Sequence, residues 1–406
     1  MGIDGVKDIY NRAFGDAWPV WLGGLLIGLF NVYEYIMEKP WGITTATSRW
    51  TGMILYKLGV NTPEWLYFKQ KEMMEKLYFM YGGDAVNIGL LLGAFIAACL
   101  SYEFAIRTPR SKRMYLQAFA GGIIIGYSVR LTNGCNLGSF ICSIPSLSLS
   151  GWIYWAGLAI GAYLGVQYVK RQIYRMPITI EKKTIERSKG MSRNAQMFLG
   201  IIGILAAIII TLFYIVYTKA SVVTLFLIGI AFGVILQRSR FCWATCYKDL
   251  FISRNAALFK AIIISMLVST IGFSLIMYKM VPDPSTGKLP AHAKVNEIGR
   301  PFGIPHLIGG ILFGFGIILV GGCASGIMYR IAEGYTSIWV AFLGVLVGHG
   351  IIAYLWGWLH PNILKGTKIW LPQYIGWGWS VFLTISVLVL IYLWISQWEV
   401  KDERWV

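Results

Sequence analysis

Ten stretches of this chain stay apolar for close to the ~20 residues with which a helix crosses a bilayer. They lie at roughly 20–37, 84–105, 117–134, 151–168, 197–217, 222–237, 258–278, 305–322, 337–357 and 376–397. Backbone surrounded by lipid must satisfy its hydrogen bonds within its own segment, so each run reads as a helix. With 56% hydrophobic residues and a mean hydropathy of +0.61, the expectation is an all-α polytopic membrane protein.

The chain also says one thing twice. Gly121-Gly122-Ile123 leads through Gly126 and Leu131 to Gly134-Cys135-x-x-Gly138. With every spacing kept, 188 residues on, Gly309-Gly310-Ile311 leads through Gly314 and Leu319 to Gly322-Cys323-x-x-Gly326. A weaker echo pairs Gly24-Leu25-Leu26-Ile27-Gly28 with Gly229-Ile230-Ala231-Phe232-Gly233. A motif repeated at one internal period points to a duplicated membrane fold.

The loops orient the helices. Residues 107–113 hold Arg107, Arg110, Lys112 and Arg113 and no acid, and 170–193 carries eight Lys and Arg against Glu181 and Glu186. Both belong in the cytoplasm by the positive-inside rule. The balanced stretch 281–304 belongs outside. Counting spans then puts both termini in the cytoplasm and runs the two Gly-Cys helices in opposite directions. The expected organisation is a cytoplasmic segment 1–19, a first membrane repeat 20–169 and a basic cytoplasmic linker 170–196. A connecting helix and second, inverted repeat follow at 197–357, then an outer loop, final transmembrane helix and short tail at 358–406. No signal peptide is visible, since 1–16 is polar and no small-residue cleavage site follows the first run. The net charge of +17 sits in the loops, which accounts for it without nucleic acid. Four His and six Cys without a Cys-x-x-Cys argue against a structural zinc site, and nothing calls for a cofactor.

Four segments are neither spans nor ordinary loops: roughly 41–58, 135–150, 241–256 and 323–335. Each follows an apolar run and is rich in Gly, Ser, Thr, Cys and aromatics. They read either as external loops or as short re-entrant helix/loop elements, two per repeat. Non-helical backbone is tolerated at membrane depth only where protein buries it or it lines a cavity. Cys135 and Cys323, at matched places in two such elements, are the first site candidates. A thiol is a weak donor and acceptor, uncharged near neutral pH, and contacts an anion without trapping it. Gly134, Gly138, Gly322 and Gly326 shape the turns, with Asn133 and Asn136 beside the first. Cys242 is the third thiol. Arg238 and Arg240 before it either attract an anion or anchor the helix at the lipid interface. Cys246, four residues on, shares a helical face with Cys242; such a pair exchanges sulfur or binds a soft metal only with further ligands, which the sequence does not supply. Cys99 and Cys142 read as packing residues. Arg130, whose repeat partner is Ile318, either faces an ion or snorkels to the interface. Asp84, Glu333 and His349 lie near span ends and receive no proton-relay role.

At the turns 134–138 and 322–326 and the run Arg238-Ser239-Arg240-Phe241-Cys242, the chain resembles the YeeE/YedE, or sulphur-transport, family of bacterial inner-membrane proteins. Asn133-Gly134-Cys135-Asn136-Leu137 and Met328-Tyr329-Arg330 are most similar to the members linked to selenium metabolism. The resemblance implies uptake of thiosulfate or a related sulfur or selenium anion. It also implies a path of three cysteines, here Cys135, Cys242 and Cys323, and a small soluble sulfur carrier of the TusA type as cytoplasmic partner. The rival reading is a membrane sulfur/selenium transferase that hands persulfide or selenide to such a carrier. A covalent mechanism needs an activated thiolate, and no base is evident beside Cys135 or Cys323.

Overall fold

The computed structural model describes residues 10–37, 43–70, 80–109, 111–132, 134–174, 191–278, 302–362 and 367–399. Among them it is helical, with two isolated β-bridges and no strand. Every expected span is a helix. The first half holds α1 (Val20–Met37), α2 (Ile43–Lys57), α3 (Gly82–Leu100), α4 (Lys112–Leu131) and α5 (Leu149–Tyr174). α6 (Arg193–Tyr217) connects the halves. The second half holds α7 (Ala220–Ser239), α8 (Trp243–Ile252), α9 (Ala257–Tyr278), α10 (Ile304–Val320), α11 (Ala324–Ala332) and α12 (Thr336–Asn362), and α13 (Trp377–Trp398) follows. Eight helical stretches among the described residues are long and apolar enough to cross a membrane, with the shorter apolar Val20–Ile36 beside them. α4 spans 20 residues but carries Lys112, Arg113, Gln117 and Arg130. The protein is an all-α polytopic membrane protein.

The four unusual segments are short elements set between long helices. Three are α2, α8 and α11. The fourth is a π-type turn at Asn136–Ile141 followed by irregular backbone up to α5. Residues 134–148 are buried without exception. Hydroxyls help satisfy this backbone: Ser139 Oγ donates to Thr132 O at 3.1 Å, Ser143 Oγ to Gly138 O at 3.0 Å and Ser146 Oγ to Ser143 O at 2.9 Å. From the other side, Leu149 N–H donates to Ile369 O and Trp370 Nε1 to Ser146 O. A buried loop without such partners would carry a heavy desolvation cost.

The long helices pair across the halves. α3 lies along α7 and α1 along α9; α4 lies along α12 and α10 along α5. α4 and α10, the two that end in Gly-Cys, also cross each other. Glycine builds these seams. A Cβ on Gly89 or Gly93 would strike the α7 backbone, and one on Gly229 or Gly233 the α3 backbone. Gly122 and Gly126 meet α12 in the same way, and Gly310 and Gly314 meet α5. In lipid, where burial of apolar surface drives little, such close approach supplies the packing that holds helices together. α6 and α13 are peripheral: only 17% and 22% of their apolar cores are covered. Their exposed Ile209, Val216, Leu390 and Trp394 form a face suited to lipid.

Candidate functional site

The three cysteines share one local position. Each immediately precedes the first turn of a broken element: Cys135 before Asn136–Ile141, Cys242 before α8 and Cys323 before α11. First-turn N–H groups lack intrahelical acceptors, and a helix start carries positive potential. α8 and α11 therefore aim their positive ends at the thiols. None of the three cysteines is more than 1% exposed.

Two of them meet. Cys242 Sγ and Cys323 Sγ lie 3.9 Å apart, although 81 residues separate them. Cys323 Sγ accepts the Gly326 N–H at 3.3 Å and sits 3.3 Å from Ser325 Oγ. The last glycine of the motif now has a reason: a Cβ on Gly326 would come within 2.7 Å of Cys242 Sγ and 3.3 Å of Cys323 Sγ. Gly321, at φ 73, is the left-handed residue that stops α10. Gly322 follows, and a Cβ there would be 3.5 Å from the Gly326 backbone. In the first half, Gly134 O accepts from Thr132 Oγ1 at 2.7 Å, and Gly138 O accepts from Ser143. Asn136 Oδ1 accepts the Tyr154 hydroxyl at 2.9 Å, which leaves its buried Nδ2 as an unspent donor one residue from Cys135. Asn133 lies outside the described residues.

The remaining cysteines are placed by packing. Cys246 sits one turn along α8 from Cys242, its N–H donating to Cys242 O at 3.0 Å. Cys142 Sγ donates to Asn31 Oδ1 on α1 at 3.3 Å, and Cys99 is buried beside Gly200 of α6. Among the described residues no group of three or more His, Cys, Asp or Glu is placed to hold a metal ion.

Arg238 and Arg240 are both held against carboxylates. Arg238 is fully buried, lies 3.4 Å from Glu103 and donates to the Asp16 carbonyl. Arg240, left-handed at the end of α7 (φ 56), pairs with Glu103 at 2.7 Å and Glu333 at 2.8 Å. Gln237 Nε2 joins both carboxylates at 2.5 and 3.3 Å. Two positive and two negative charges cancel, so this network ties α7 to the loop after α3 and to the end of α11. Glu103 had no signal in the sequence, because its partners lie more than 130 residues away. Arg330 was visible only as part of a motif. Seven residues after Cys323, it returns to the same side of α11 and spends its nitrogens on three oxygens. It donates to Tyr329 Oη at 3.2 Å, Thr245 Oγ1 at 3.2 Å and the Gly321 carbonyl. It therefore staples α8 and the end of α10 around the thiol pair.

Arg130 departs from the snorkelling expectation. It is 2% exposed, and its Nη1 donates to Tyr67 Oη at 2.9 Å. Tyr67 and Phe68, on the turn Leu66–Lys69, pack in one cluster with the neighbouring Leu131 and with Trp356 of α12. Asp84 forms a buried ion pair with Arg49 and accepts Trp50 Nε1 at 2.9 Å.

The model of the family described as "Sulphur transport" matches residues 6–164 and 238–406. The chain belongs to the sulphur-transport family. Within it, the chain is 32% identical over 387 residues to the probable transporter YedE of Salmonella typhimurium, covering 93% of this chain and 91% of that protein. The Escherichia coli YedE matches to the same extent. The thiosulfate transporter TsuA of Spirochaeta thermophila is 35% identical over a shorter stretch of 121 residues, 29% of this chain and 32% of the relative. Family membership and helical architecture together make this a multi-pass membrane transporter.

Proposed function

We propose that this family member moves a small sulfur- or selenium-containing anion, thiosulfate-like, across the bacterial inner membrane along a path marked by Cys135, Cys242 and Cys323. The observation that carries the reading is the 3.9 Å approach of Cys242 and Cys323 at the converging starts of α8 and α11. Buried there, the thiols and the N–H groups of two helix starts offer an anion several weak contacts. Conduction needs such contacts, because a single deep site would hold the ion. Asn136 Nδ2 adds a donor beside Cys135. The exchanged pairing of α1 with α9 and α3 with α7 supports a duplicated fold, and the basic loops support its inversion, with the broken elements entering from opposite sides and both termini in the cytoplasm. A TusA-like carrier is the proposed cytoplasmic acceptor.

Uptake of labelled thiosulfate, selenite and sulfite by cells expressing only this protein tests the proposal. Cys135→Ala and Cys323→Ala should abolish uptake with normal membrane levels, while Cys99→Ala should change little. Serine keeps a donor and an acceptor, so at least one Cys→Ser variant at 135, 242 or 323 should retain uptake that its alanine counterpart loses. The closeness of the two thiols also favours a second reading, sulfur or selenium transfer between them. Complete loss in both series, with a trapped persulfide or selenide adduct, would establish the transferase instead.

A further inference from the structure

Among the described residues, every buried arginine but Arg130 has a carboxylate or several oxygens as partners. Arg49 has Asp84, Arg238 and Arg240 have Glu103 and Glu333, and Arg330 spends its nitrogens on three oxygens. Arg130 has no carboxylate among the described residues. Its Nη1 is bonded to Tyr67, while its Nε and Nη2 are buried without a partner. His349 of α12 lies within electrostatic reach of Arg130. It is 1% exposed, and neither ring nitrogen has a partner. The neighbouring Gly348 lets α12 close onto α4 there, since a Cβ would meet the backbone at Ile123 and Tyr127.

A buried, unpaired cation is costly, and in a membrane protein such a group marks an ion pathway. The unspent atoms also say what kind of ion. Nε–H and one Nη2–H leave a guanidinium in parallel from a single edge, the fork that matches two oxygens on one centre. Nη1, outside that edge, is the nitrogen held by Tyr67. The matched position of the second half is Ile318, so the duplication does not require an arginine here.

We propose that Arg130, held by Tyr67 and assisted by His349, binds the oxygen-bearing end of the transported anion, with two oxygens of one sulfur or selenium centre on its Nε–Nη2 edge. This rests on the transport reading above and narrows it. Thiosulfate, sulfite and selenite carry the required oxygens; hydrosulfide and hydroselenide do not. The site lies five residues before Cys135 in the chain, and the oxyanion is recognised there by charge and shape.

The test uses purified full-length protein in detergent, labelled thiosulfate, and thermal melting with and without sodium thiosulfate. Removing a charged hydrogen-bonding edge should weaken thiosulfate binding about 10- to 100-fold in Arg130→Gln. Arg130→Lys, which keeps the charge but not the fork, should fall between Arg130→Gln and wild type. Without ligand, Arg130→Gln should melt at or above the wild-type temperature, because an uncompensated buried cation has been removed, and thiosulfate should no longer raise it. Sodium selenite should displace labelled thiosulfate, and sodium hydrosulfide should not. Wild-type binding in Arg130→Gln overturns the proposal. So does an Arg130→Gln protein that melts well below wild type or fails to accumulate, which marks the residue as structural. Equal displacement by hydrosulfide overturns it as well. If wild-type protein binds and transports thiosulfate and Arg130→Gln does both equally, only this inference fails. If wild-type protein neither binds nor transports these anions, the transport reading fails with it.

Discussion

Gly326→Ala puts the thiol contact under direct strain. The added methyl would sit 2.7 Å from Cys242 Sγ and 3.3 Å from Cys323 Sγ, where ordinary contact needs about 3.5–4.0 Å. One of the two sulfurs must therefore move by about 1 Å. Neither has free space, because Cys242 is fully buried at the start of α8, and Cys323 is held by the Gly326 N–H and Ser325. Overpacking of this size costs about 1–3 kcal/mol. Displacing a contact group by about 1 Å should cut uptake roughly tenfold or more. Melting of the purified protein reads the first effect and thiosulfate uptake the second. Pairing Gly326→Ala with Cys242→Ala removes the struck sulfur. The double variant should regain most of the lost stability, with a coupling of about 0.5–3 kcal/mol, but not the uptake. Wild-type stability and uptake in Gly326→Ala would refute the reasoning, as would a double variant no more stable than the single one.

Two further predictions concern charge and topology. Arg240→Ala strips Glu333, 1% exposed, of its ion pair, and should destabilise the protein by about 1–3 kcal/mol, less than a fully buried pair because Arg240 is 43% exposed. Adding Glu333→Gln should restore part of that loss in a melting assay, and no recovery would show that the pair does not govern this region. Reporter fusions at Lys112 and Lys288 should report opposite sides of the membrane, and finding both on one side would rule out inverted repeats.

The architecture was legible because its determinants are local. An apolar run of the right length closes its own backbone hydrogen bonds, so the helices at 197–217, 258–278 and 376–397 appear within a few residues of their expected limits. The glycine- and cysteine-rich segments were legible as breaks for the same reason: a chain that turns repeatedly signals it in Gly, Ser and Pro. The echo between Gly24–Gly28 and Gly229–Gly233 also held physical content, since both pairs sit on helix seams. The partners in those seams were not legible. Nothing in the order of residues says that α3 lies along α7 rather than α9.

The site divides along the same line. By itself, the sequence determined that three thiols stand where apolar runs end, and that a glycine follows Cys323 at three residues. The end of a run and the spacing after it are properties of a few consecutive residues. Only the tertiary structure decided that Cys242 and Cys323 meet while Cys135 belongs to a separate turn, and that Gly326 is small to admit a sulfur from another helix. It likewise decided that Arg238 and Arg240 are neutralised by Glu103 and Glu333, whereas Arg130 is buried with one edge unspent. A charge keeps the same chemistry wherever it stands in a chain. Whether it is offset depends on which helices cross beside it, and close packing across the whole bundle settles those crossings.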